Sequence, residues 1–110
     1  MPPFAQVAIS GTVSAPDGAP AAGATVFVSH GFGGCDRQLY SAVGMETAAD
    51  GRFEIRYPIA VRRDPTCFVF VATDADAGLR SDTVRIVLPT IGPEDATVSV
   101  SADLVLRPAP

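Results

Sequence analysis

The side chains best suited to chemistry in this chain are few: one histidine, His30, and two cysteines, Cys35 and Cys67. His30 and Cys35 share a glycine-rich stretch, His30-Gly31-Phe32-Gly33-Gly34-Cys35, and a thiolate needs a nearby base or cation to become a nucleophile. A Cys-His pair is therefore one reading. The other is a stapled loop, because an even cysteine count without a CxxC spacing leaves one disulfide or two free thiols. The loop position of Cys35 favours the disulfide, whose closure would stabilise the fold by about 3–4 kcal/mol in the chain-entropy model. With a single imidazole, no site that needs two of them for metal or acid–base work can be built within one chain.

Three further patterns carry chemistry. Asp74, Asp76 and Gly78, with Asp82 nearby, loosely resemble a calcium loop. A bidentate Glu at the right offset is missing, so a solvated turn is the preferred reading. Carbohydrate binding asks for an exposed aromatic platform, and only Phe32 and Tyr40 lie off the expected core faces. Together with His30, Asp36 and Arg37 they define a candidate ligand or partner loop from His30 to Tyr40. No catalytic residue, cofactor or metal site is expected.

The elements that must position these residues are strands. Segments of alternating polarity recur between Gly and Pro clusters, and no window carries a helical repeat. Gln6 to Ser14 puts Val7, Ile9, Gly11 and Val13 on one face, and Ala15-Pro16-Asp17-Gly18 supplies a turn. Ala24 to Ser29 is apolar on both faces, as a central strand would be. Leu39 to Thr47 is weaker, and Asp50-Gly51 turns the chain into Arg52 to Pro58, where Phe53, Ile55 and Tyr57 face the core. Cys67 to Thr73 is a nearly continuous apolar run. Asp74 to Asp82 reads as a polar loop, followed by Thr83 to Leu88 and by Ala96 to Leu106, which alternates most cleanly. Seven strands without helices must bury against one another as a Greek-key sandwich, in one domain over 1–110 with its core at about 6–107.

Composition excludes several classes. At 47% hydrophobic and 18% charged residues the chain is far from the disordered regime, and 110 residues suffice for one core. The net charge of -4, with eight arginines dispersed among twelve carboxylates, offers no basic stripe for nucleic acid. The pair Arg62-Arg63 precedes Asp64-Pro65 and reads as a solvated turn. Lys, Asn and Trp are absent, which removes Lys-Asn isopeptide cross-links and N-glycosylation. The Ala, Val, Gly, Pro and Arg bias suits a GC-rich bacterial genome. No stretch is long and apolar enough for a membrane span, and the chain reads as cytoplasmic unless a signal peptide has been removed, in which case it is extracytoplasmic.

A motif then emerges from the turns and strands: Ile9-x-Gly11-x-Val13, Asp17-Gly18-x-Pro20, Gly23-Ala24-x-Val26-x-Val28 and Thr47-x-x-Asp50-Gly51-Arg52-Phe53. It resembles the carboxypeptidase regulatory-like domain family over the first half of the chain, and by strand count and spacing over the second. The resemblance implies a transthyretin-like sandwich, commonly outside the cytoplasm, where a Cys35–Cys67 disulfide would persist. The transthyretin-related hydroxyisourate hydrolases also resemble this fold, but they need several histidines and a Tyr-Arg-Gly-Ser ending, whereas this chain has one His and ends Leu106-Arg107-Pro108-Ala109-Pro110.

The functional expectation is a non-enzymatic module for structural support or protein contact. Its partner would be another protein or a second copy, added along a sheet edge at the Thr/Ser-rich last strand. The alternative is a small-ligand or carbohydrate module using the His30 to Tyr40 loop.

Overall fold

The computed structural model describes residues 4–35, 40–61, 63–93 and 97–108. Eight strands form: β1 (Phe4–Ser14), β2 (Thr25–Phe32), β3 (Tyr40–Glu46), β4 (Arg52–Ala60), β5 (Thr66–Asp74), β6 (Leu79–Ser81), β7 (Val84–Leu88) and β8 (Thr97–Pro108). The strand beyond the expected seven is β6, in the stretch that reads as a polar loop. Its reason is Ser81, whose buried hydroxyl accepts from the Ala72 amide at 2.8 Å and donates to the Asp82 carbonyl at 2.9 Å. The first of these bonds ties a short polar segment to β5.

The strands wrap into an all-β sandwich that nearly closes. The order β3-β2-β5-β6-β8-β1-β4 runs round the molecule, with β7 on β5. Strands β4, β1 and β8 make one layer, and β3, β2, β5 and β7 the other. The long last strand joins them: Thr97 to Val105 runs parallel to β1, while Leu106 to Pro108 pairs with β6. Between β3 and β4, the two ends of the path, a seam stays open.

Period-two alternation fills the interior. Val7, Ile9, Val13, Val26, Val28, Phe53, Phe68, Phe70, Val100 and Leu104 are all buried. Phe68 and Phe70 of the central strand β5 are wholly enclosed. Gly11 is required by close approach: a Cβ there would lie 1.8 Å from the Ala102 carbonyl oxygen and 2.7 Å from Phe53 Cζ. Gly51 takes φ +77 in its turn, where it donates to the Ala48 carbonyl at 2.9 Å. Thr47 secures the same corner. Its buried hydroxyl donates to the Ala21 carbonyl at 2.5 Å and accepts from the Ala24 amide at 3.0 Å.

The last strand is hydrogen-bonded to β1 along one flank from Thr97 to Val105 and meets β6 only at Leu106 to Pro108, so among the described residues its other flank carries no ladder over Thr97 to Val105. Its Thr and Ser side chains are exposed on an outer face, and β3 and β4 stand at the two ends of the strand order.

Candidate functional site

The candidate site lies where the seam meets the inner face of β2. Strand β2 runs through to Phe32 and does not give way to a loop at His30. Gly31 pairs with Cys67 and His30 with Phe68, so the glycine sits in the ladder where a flexible connection was expected. Alternation then sends His30 and Phe32 to the same side as Val26 and Val28, toward the opposite layer.

There His30 joins an aromatic cluster. Its ring lies 5.3 Å from Phe32 in an edge-on arrangement, 6.1 Å from Tyr57 and 6.4 Å from Phe68. Tyr57 comes from β4, across the sandwich, and is half-buried because no strand covers the β4 edge. Burial lowers the His30 pKa below its ordinary 6.5, since the charged imidazolium loses its hydration. Burial also pushes the Tyr57 phenol up to about 12. At neutral pH the pair is thus an uncharged imidazole near a protonated phenol. Behind Phe32, the Thr66 hydroxyl is enclosed with no hydrogen-bond partner.

Of the residues singled out by sequence, Cys35 and Cys67 are joined in a disulfide with Cα atoms 5.1 Å apart. This bond occupies the Cys35 sulfur and removes the Cys-His nucleophile reading. Cys67 alternates with Phe68 and so lies on the opposite face of β5 from the aromatic cluster, fixing the Gly33-Gly34-Cys35 turn, whose Gly33 amide donates to the Pro65 carbonyl at 2.7 Å. Disulfides persist in oxidising surroundings. Tyr40 opens β3 opposite His30, whereas Asp36 and Arg37 lie outside the described residues. Of the expected ligand loop, His30 and Phe32 belong to strand β2 and face inward. Tyr57 was legible only as a core position, because nothing in the alternation tells an edge strand from a covered one.

The Asp74 carboxylate accepts from the Ala77 amide at 3.3 Å, closing a turn on itself, while Asp82 approaches Arg107 at 4.0 Å on the surface. At the other end of the seam an open groove of about 760 Å³ runs past Ser10, Thr12, Thr47, Asp50, Arg52 and Glu54. Its charges are exposed, and Arg52 lies 3.6 Å from Asp50.

No family model matches the chain, and no curated protein does. Solved structures do share the fold. Chlorocatechol 1,2-dioxygenase from Pseudomonas putida superposes with a TM-score of 0.62 at 15% identity, covering 94% of this chain and 60% of that one. The 3-chlorocatechol 1,2-dioxygenase from Rhodococcus opacus 1CP gives 0.56 at 12% identity, covering 92% and 58%. The chain spans about three-fifths of the length of these enzymes, and at such identity the likeness concerns the fold.

These neighbours overturn the expected function. The expectation of a non-catalytic module for support or protein contact rests on what similar sandwiches do, whereas the two solved structures named above that share the fold are dioxygenases. Dioxygen chemistry itself needs a redox-active metal or organic cofactor. Among the described residues no three His, Cys, Asp or Glu side chains converge, and the described cysteines are bonded to each other.

Proposed function

We propose that the seam beside His30 and Tyr57 receives a small hydroxylated molecule and that this pair moves a proton on it. One observation carries the reading: an imidazole and a phenol come together across the two layers with ring centroids 6.1 Å apart, and burial keeps the imidazole uncharged and the phenol protonated at neutral pH. His30 takes the proton of a substrate hydroxyl, and the Tyr57 phenol hydrogen-bonds to the oxyanion left behind. Phe32, partly exposed beside His30, supplies an apolar wall for the rest of the molecule. The disulfide and the resemblance to carboxypeptidase regulatory-like domains support an extracytoplasmic setting for this chemistry.

The fold neighbours are named for chlorinated catechols, which makes catechol and 3-chlorocatechol the first probes, by analogy of fold. The test follows the His30 imidazole resonances by NMR during titration with each probe. The expected result is a saturable shift that is lost in Tyr57→Phe. Unmoved resonances for both probes, or an unchanged response in Tyr57→Phe, would end the reading.

A further inference from the structure

The free edge of β4 has a sequence that complements itself. The Gly51 carbonyl points at β1, where it accepts from the Val13 amide at 2.8 Å, and the Arg52 carbonyl points the other way, accepting from Ala48 at 2.8 Å. In an extended strand this alternation continues, so the backbone groups of Glu54 and Arg56 face the open edge. Pro58 falls in the same set, and its missing N–H is therefore on the open side, where a strand tolerates proline. The side chains of Glu54 and Arg56 project outward into solvent, 3.9 Å apart within one chain.

We propose that a second copy of this chain pairs antiparallel with β4 about a two-fold axis through Ile55. This register sets Glu54 opposite Arg56 of the second copy, and by symmetry Arg56 opposite its Glu54. Each such pair exchanges both backbone hydrogen bonds and matches opposite charges on the outer face. On the inner face Ile55 meets its own copy and Phe53 falls opposite Tyr57 of the second copy. That explains why Ile55 and Tyr57, inward by alternation, are only half-buried in the single chain. The register shifted by two residues would set Glu54 against Glu54 and Arg52 against Arg56, like charges that exclude it. Arg52 and Pro58 limit the ladder, since the Arg52 amide is held by the Asp50 carboxylate at 3.1 Å and Pro58 has none to give. The contact is thus short and reversible. Because the second copy would lie along the seam beside Tyr57, pairing and occupancy of the proposed site compete for the same edge, and the mass measurement reads the pairing without any small molecule present.

Sedimentation equilibrium of the whole chain tests it. The parent is expected to show a concentration-dependent mass rising toward twice that of the chain. Glu54→Arg alone, or Arg56→Glu alone, sets like charges opposite each other at both symmetric positions and should weaken association roughly tenfold. Mixing the two variants should restore a dimer, because one chain then presents two arginines and the other two carboxylates. A constant single-chain mass up to about 1 mM, single variants that associate like the parent, or variants that are not rescued by mixing would each overturn the proposal. Circular dichroism of the variants checks that these exposed substitutions leave the fold intact.

Discussion

Strands β8 and β4 carry the same alternation of apolar and polar residues, yet they end in different environments. On β8, Val100, Ala102, Leu104 and Leu106 are buried, because β5 and β7 of the other layer pack against the strand and β6 pairs with its end. On β4 the inward set starts buried at Phe53, loosens at Ile55 and Tyr57, and closes again at Ile59. The difference comes from the neighbours: the seam leaves the middle of β4 without a covering strand. Alternation fixes the direction in which a side chain points, and topology fixes how far from water it gets.

Substitutions can break that comparison. Leu104→Ala on the closed side should cost about 2–5 kcal/mol in urea unfolding, the range for a fully enclosed leucine, whereas Ile55→Ala at the seam should cost less than half of that. Equal losses would show that the seam is closed in solution. Loss of the disulfide, by reduction or Cys35→Ser, should lower stability by about 3–4 kcal/mol, because the bond spans 32 residues and anchors the turn beside the seam. Thr47→Val leaves the Ala21 carbonyl and the Ala24 amide without their buried partner, and should cost about 1–3 kcal/mol.

The smallest effect is on pH dependence. The folded His30 holds its proton less tightly than the unfolded one, so as pH falls through 6.5 the unfolded chain gains protons first and stability declines. For Tyr57 the sign reverses: the unfolded phenol ionises from pH 10 upward while the folded one waits until about 12, so stability declines as pH rises through that window. Melting temperatures of the parent and of His30→Gln, measured between pH 5 and 8, should differ in slope on the acid side only, which separates the seam from the titration of the rest of the surface.

Much of the scaffold was legible in the sequence. The alternation of Val7, Ile9 and Val13 and the turn at Asp50-Gly51 are local signals, and local signals survive folding. Strand β6 was hidden because Leu79-Arg80-Ser81 lies in a polar run and owes its extension to the Ser81 hydroxyl on the Ala72 amide, a contact between segments. His30 was read as a loop residue because the glycines after it suggest flexibility, whereas Gly31 is held in the ladder opposite Cys67. The candidate site needs Tyr57 brought to His30 from a different layer, and no spacing along the chain encodes that meeting.

The parallel pairing of β1 with β8 bears on how the chain reaches this state. Thr12 donates to the Asp103 carboxylate at 2.7 Å across a separation of 91 residues, and the whole β1–β8 ladder has comparable reach. A nascent chain leaving the ribosome holds β1 long before its parallel neighbour exists, so the first layer stays a two-strand fragment until synthesis passes Thr97. Such long-range closure makes for slow folding, and throughout that interval one flank of β1 remains open to chance strand pairing.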